Sequence, residues 1–299
     1  MKKVIGIDIG GTKILGGIID SEGKLIEIRE LPTDASQGRV AILNNVFRII
    51  DGIIDRNIEG IGVGSAGRIN YNTGVVDYAT DNLPGWSQFK LKEALEQKYN
   101  IPVIADNDVN AAAIGEKWVG AARNYKNFVM LTLGTGVGGA IVLNGDIIRG
   151  SHWGAGETGH MILYPDGRQC NCGHKGCLEQ YVSGSAISKR YNHLAGFERV
   201  RNAKEVFELL KKENDSYAKA VVTEFIKSLS TAIVSLKNII DPELFIIGGG
   251  LINSRELWWD ELIRLLGNDV KIVSAVLGNK AAIFGAARLI LDILSDEYK

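Results

Sequence analysis

Cys170, Cys172 and Cys177 are the only cysteines of the 299-residue sequence, and all three fall within GRQCNCGHKGCLEQ, residues 167–180. Three thiolates in a C-x-C-x4-C spacing supply one ligand fewer than a closed tetrahedral zinc site needs. Two histidines lie close enough in sequence to complete it: His174 inside the loop and His160 upstream in GAGETGH, and spacing leaves both open. An odd number of thiols cannot all pair, and no C-x-x-C motif is present, so a disulfide framework and a thioredoxin-type redox site are both disfavoured. A metal held by four side chains has no open position for a substrate, so its role is structural. Glu157 precedes His160 by three residues and Glu179 follows Cys177 by two, so a rigid metal knot would hold both carboxylates in place.

A second polar cluster stands in IPVIADNDVNAAAIGEKW, residues 101–118. The pattern predicts a short strand ending near Ala105 and a helix beginning about Val109, since alanines favour helix and the residues before them suit a cap. Helix capping accounts for one aspartate at such a junction. Asp106, Asn107, Asp108 and Asn110 together offer more hydrogen-bonding capacity than one cap uses. Two glycine turns, DIGGTK (8–13) and LGTGVGG (133–139), expose backbone N–H groups and the hydroxyls of Thr12 and Thr135. Turn chemistry explains either one alone. Two at equivalent places in a repeated scheme can form facing anion-binding concavities, which suits the polyphosphate of a nucleotide.

The elements that carry these residues show an internal echo. Residues 3–31 read as strand, glycine turn, strand, DSEGK turn and strand, and residues 127–150 repeat that order with LGTG and NGD turns. After the first hairpin an amphipathic helix is predicted around 37–56, with Val40, Leu43, Val46, Phe47, Ile50 and Ile54 at helical spacing. The strand IEGIGVG and the bend GSAG follow it. After the second come an insertion, a helix around 216–240, the strand ELFIIGGG and another glycine-rich bend. Two related α/β domains with a cleft between them are the expected architecture.

The composition, 45% hydrophobic and 23% charged with a net charge of −1, belongs to a globular chain long enough for two cores. The balanced charge offers no basic surface for nucleic acid or anionic lipid. Asp8 interrupts the first apolar run before a signal-peptide core can form, and no apolar stretch reaches membrane-spanning length, so a cytoplasmic location without a membrane partner is expected.

DIGGTK with LGTGVGG resembles the phosphate loops of the actin-like sugar kinases and chaperone ATPases. NDVNAAA, the E-x-G-H of residues 157–160 and CNCGHKGCLE narrow the resemblance to the ROK family of repressors and sugar kinases, over essentially the whole chain. The resemblance implies a duplicated actin-like, RNase H-like fold with ATP in the interdomain cleft. A first domain would hold 1–117 and 287–299, and a second, 118–286, would carry the zinc-binding insertion. It implies that Asp8, Gly10, Gly11, Thr12, Lys13, Gly134, Thr135 and Gly136 hold the phosphates with Mg²⁺. Gly248, Gly249 and Gly250 would lie on the adenosine side, and residues 275–289 resemble the family's final helix.

A kinase acting on an alcohol needs a carboxylate within reach of the attacking hydroxyl's proton, and the resemblance gives Asp108 that role and makes Asn107 a sugar contact. It also implies sugar contacts from Ser65 in GVGSAG, Asn82 in DNLPGW, Glu157, His160 and Glu179, with Ala66 standing where many members carry proline. It favours His160 with the three cysteines as the zinc set. The function implied is phosphorylation of a hexose, glucose first, at its primary hydroxyl. Kinases for N-acetylmannosamine, N-acetylglucosamine, fructose or allose share the motifs. A sugar-sensing transcriptional regulator is the rival of another class, disfavoured because the first strand begins within a few residues of Met1. A homodimer or a higher homo-oligomer is the expected assembly. Loss of the metal or Cys172→Ser is expected to loosen the sugar site while ATP binding survives.

Overall fold

In a computed structural model that describes residues 2–296, the chain divides into two compact units. The first comprises Met1–Asn124, Ile147–Ala155 and Val276–Lys299, and the second Tyr125–Asp146 and Gly156–Ala275.

The first unit contains β1 (Lys3–Ile9), β2 (Lys13–Asp20), β3 (Leu25–Pro32), α1 (Arg39–Ile53), β4 (Ile58–Ser65), β5 (Arg68–Asn70), β6 (Val75–Tyr78), β7 (Phe89–Lys90), α2 (Leu91–Tyr99), β8 (Val103–Asn107) and α3 (Asp108–Val119). Its main sheet has the order β3-β2-β1-β4-β8. β1 runs antiparallel to β2 and parallel to β4, and β4 runs parallel to β8. β1 and β4 are almost wholly buried, as central strands covered on both faces must be. The edge strand β3 alternates Ile26 and Ile28 with charged residues, a composition that blunts edge pairing.

β9 (Phe128–Leu133), β10 (Val137–Leu143), β11 (Asp146–Ile147), α4 (Glu179–Val182), α5 (Gly184–Ala195), α6 (Ala203–Glu213), α7 (Ser216–Ile240), β12 (Leu244–Gly248), α8 (Trp259–Leu266) and β13 (Ile272–Ser274) follow. Their sheet order, β11-β10-β9-β12-β13, repeats the first sheet strand for strand, with β9 antiparallel to β10 and parallel to β12. The echo in the sequence is thus a duplication of topology. The core of this unit gathers on α7, where Phe225 meets Phe207 and Trp258 edge to face.

The last helix, α9 (Ala281–Asp296), begins six residues before the segment the resemblance assigns to the first domain, and it packs on β1, β4 and α3. Small residues make that approach possible. A side chain on Gly62 would strike the Ala286 carbonyl, and one on Gly285 would strike the Ala111 carbonyl. Gly285→Val is therefore expected to lower the unfolding free energy by about 3 kcal/mol, read as a drop in the urea midpoint, and to displace α3. The buried Glu116 fastens the same region by accepting N–H groups from Ala121 (2.7 Å), Val276 (3.0 Å) and Leu277 (2.9 Å).

The buried stripe of α1 is Ile42, Asn45, Val46, Ile49, Ile50 and Ile53, rotated from the one the spacing suggested, and Val40 is exposed. Asn45 takes an inward place because its amide donates to Pro32 O (3.0 Å) and Asp34 Oδ2 (2.9 Å), securing the end of β3. Among the described residues no helix is long and apolar enough to cross a membrane.

Candidate active site

In the first unit the polar residues collect at the carboxyl ends of the parallel strands, where open α/β sheets place their ligands. Asp8 on β1 pairs in register with Gly64 on β4, and Gly64 pairs with Asp106 on β8. Gly64 keeps this row open: a Cβ there would stand 3.4 Å from Asp108 Cα. Burial first, and then the charge of Asp108, push the Asp8 carboxyl up to about 8, with Lys13 opposing. Lys13 also binds Glu30 at 2.8 Å on the neighbouring strand.

That shift has a stability consequence. A carboxyl whose folded pKa lies above its unfolded value of 3.8 holds its proton more tightly when folded, so stability is lost as pH rises from about 4 to about 8. Urea unfolding of the ligand-free protein between pH 5 and pH 8 is expected to show a decline approaching about 1 kcal/mol per pH unit. Asp8→Asn should flatten it. An equal slope in that variant would remove Asp8 as its source.

α3 is capped by Asn107, whose Oδ1 accepts from Val109 N (2.8 Å) and Asn110 N (3.1 Å). Asp108 is the first helical residue, and its Oδ1 also accepts from Val109 N at 3.0 Å. Capping therefore does not account for Asp108. Asn107 gives one amide N–H to Gly67 O (3.0 Å), which ties the turn before α3 to the GSAG bend. Ser65 is fully buried and its hydroxyl accepts the Trp86 indole N–H at 3.0 Å, so its side chain is turned into the core. Asn82 lies exposed on the loop before Trp86, near enough to Gly11 that a Cβ on that glycine would meet Asn82 Cβ at 3.7 Å.

None of Gly10, Gly11, Gly134 and Gly136 has a positive φ, so conformational need does not explain these glycines. A Cβ on Gly134 or on Gly250 would meet no atom within 4 Å, leaving bare backbone that a phosphate can approach, whereas one on Gly136 would strike the Glu179 carboxylate at 2.6 Å. In the second unit Gly249, at φ 85°, presses on the Leu133 backbone beside the 134–136 turn, and Gly184 N donates to Gly134 O (2.7 Å). Thr12 and Thr135 are exposed, while Gly248 ends a buried strand.

The second unit also gathers His160, Cys170, Cys172 and Cys177, whose ligand atoms all lie within 4.8 Å of one another. Bonds of about 2.3 Å to a tetrahedral zinc put sulfurs about 3.8 Å apart. Cys172 and Cys177 stand at 3.5 Å and His160 Nδ1 stands 3.7 Å from Cys170 Sγ, so the set fits such an ion. His174, 3.6 Å from Cys172 Sγ, lies outside this group. Gln180 Nε2 approaches Cys170 Sγ at 3.6 Å, a donor placed to stabilise a thiolate. The His160 ring is exposed, and Glu157 is exposed three residues before it.

Glu179 opens α4 directly after the knot, and its Oε2 accepts from Val137 N at 3.0 Å. That contact joins the knot to the second glycine turn, and sequence gave no signal for it because the partners are 42 residues apart.

The ROK family profile matches residues 4–293. The chain is 34% identical over 313 residues to a glucokinase of Halalkalibacterium halodurans, covering 96% of this chain and 94% of that protein. It is 35% identical over 260 residues to an N-acetyl-D-glucosamine kinase of Citrobacter koseri, covering 83% and 84%. A ROK family glucokinase from Streptomyces griseus in complex with glucose and AMPPNP superposes with a TM-score of 0.81 at 30% identity, over 96% of this chain and 98% of that one.

Proposed function

This chain belongs to the ROK family, has its actin-like ATPase fold and is an ATP-dependent hexose kinase, and from that premise we propose that glucose is its acceptor and Asp108 its general base. The observation that carries the assignment of the base is the placement of Asp108: a carboxylate at the start of α3, at the carboxyl end of the sheet, beside Asp8 and with the helix cap supplied by its neighbour. The Asp108 carboxylate takes the proton of the primary hydroxyl as that oxygen bonds to the γ-phosphorus of ATP. The bond from phosphorus to the β,γ-bridging oxygen breaks, ADP leaves, and glucose 6-phosphate forms.

Asp8 is the carboxylate we assign to the magnesium ion, because two neighbouring acidic groups at one strand end favour a divalent cation. That ion would supply charge neutralisation on the phosphates. The backbone of Gly10, Gly11, Gly134 and Gly136, with the hydroxyls of Thr12 and Thr135 and the Lys13 ammonium, binds the phosphates, and residues 248–250 meet the adenosine. Asn82, Asn107, Glu157, Glu179 and the second ring nitrogen of His160 orient the sugar, with backbone of the Ser65 bend. Zinc held by His160, Cys170, Cys172 and Cys177 would be structural, since four protein ligands fill a tetrahedral ion. A homodimer is the assembly we expect, to be checked by light scattering.

The test is a coupled assay of ADP formation with a panel of hexoses and amino sugars. Glucose is expected to give the highest kcat/KM. The similarity to the N-acetylglucosamine kinase supports a second acceptor, and a higher kcat/KM for that amino sugar would transfer the assignment to it. ATP consumption indifferent to added sugar would sink the kinase reading.

A further inference from the structure

We infer that Asp106 and Arg149 form a positioning pair that holds the catalytic turn in its working geometry, so that Arg149, outside every motif assigned to the site, sets the rate of phosphoryl transfer; the inference rests on Asp108 being the base. The Asp106 side chain is 2% exposed and bears four hydrogen bonds. Its Oδ1 accepts from Asn107 N (2.7 Å) and Asn110 Nδ2 (3.0 Å), and its Oδ2 accepts from Arg149 Nε (2.9 Å) and from a terminal guanidinium nitrogen (2.7 Å). The Arg149 guanidinium also lies over the Tyr71 ring, 3.7 Å from its centroid.

With both oxygens engaged, Asp106 has no lone pair left for a substrate proton, which separates it from Asp108 two residues on. A buried ion pair is a poor source of stability, because desolvation of two charges cancels much of their attraction. What this pair fixes is direction. Asp106 holds the backbone N–H of Asn107, Asn107 caps α3, and Asp108 follows, so the angle of the base derives from the Asp106 carboxylate. At the other end, Arg149 O accepts from Ala155 N (3.1 Å), closing residues 149–155 into a loop whose chain continues into Glu157 and His160. Arg149 therefore holds the 149–155 loop through its backbone and the Asp106 carboxylate through its side chain. A lysine could supply the charge but not the fork of two N–H groups.

The experiment compares Arg149→Met, Arg149→Lys, Asp106→Asn and the Asp106→Asn/Arg149→Met double variant, with Asp108→Asn alongside, using ATP, Mg²⁺ and the best sugar from the panel. Arg149→Met is expected to lower kcat about 10- to 100-fold with both KM values within about threefold, the signature of a misaimed base in an intact binding site. Arg149→Lys should lose about tenfold. The double variant should be no slower than the slower single, because the two side chains act as one unit. A kcat within about twofold of wild type in Arg149→Met, or single effects that multiply in the double, would overturn the pair. If Arg149→Met does not fold, Arg149→Lys decides by the same criterion. Full loss in Asp108→Asn beside a normal Arg149→Lys removes the pair and keeps the base; an active Asp108→Asn removes both.

Discussion

Asp108→Asn folds, binds ATP and sugar with near-normal KM, and turns over about 10²–10⁴ times more slowly than wild type, the range for removing a positioned base. The fold survives because Asn107 supplies the cap, through bonds to Val109 N and Asn110 N that the substitution does not touch. Asparagine keeps the shape and can still accept from the neighbouring backbone, but it cannot take the hydroxyl proton. A second readout comes with it. The Asp108 charge is one of the two causes that raise Asp8, so its removal should return the Asp8 carboxyl toward its ordinary range and shallow the decline in stability between pH 5 and pH 8. A variant that keeps more than about a tenth of wild-type turnover removes Asp108 from the role of base. Normal turnover loss with an unchanged pH slope would keep the base and dissociate it from Asp8.

The parts of this molecule that were legible in the sequence are those written locally. The two strand–turn–strand runs were readable because hairpin turns and apolar runs are contiguous, and they became two sheets of identical strand order. The helix expected around 216–240 is α7, Ser216–Ile240, because its stripe repeats over many turns. The grouping of three thiols with His160 followed from spacing and likeness together. Contacts between distant residues left no such trace. Nothing near Asp106 in sequence announces Arg149, and nothing near Glu179 announces Val137. Ser65 carries no sign that Trp86 consumes its hydroxyl. The pairing of the two glycine turns is legible in the sequence, but what keeps each glycine bare is not: Gly134 faces open space, while Gly136 is pressed by the carboxylate of Glu179, a residue distant in sequence. The stripe on α1 rotated for a similar reason: a polar residue, Asn45, is buried to serve the end of β3.

Cys172→Ser, or removal of the metal by a chelator, is expected to lower hexose phosphorylation at least about 100-fold and to release a single equivalent of zinc per chain, measured by elemental analysis and by the coupled assay. The stretch has backbone bonds of its own, among them Leu163 N to Gly176 O (2.8 Å), Cys170 N to His174 O (2.8 Å) and Leu178 N to Met161 O (2.9 Å), but only an ion would hold the four side chains of the knot against one another. Glu179 follows Cys177 by two residues and Glu157 precedes His160 by three, so both carboxylates assigned to the sugar would lose their orientation together. The sequence alone led to the expectation that ATP binding would be spared. The bond from Val137 N to Glu179 Oε2 changes that expectation, because Glu179 also braces the base of the 134–136 turn. The KM for ATP should therefore rise as well, by about 3- to 10-fold, as for loss of one hydrogen bond that positions a phosphate loop. Glu179→Gln separates the two effects: its amide oxygen can still accept from Val137 N, so the KM for ATP should stay normal while the KM for the sugar rises. A metal-free protein with wild-type turnover would show that the knot positions nothing the reaction needs, and an unchanged ATP KM in Cys172→Ser would confine its influence to the carbohydrate.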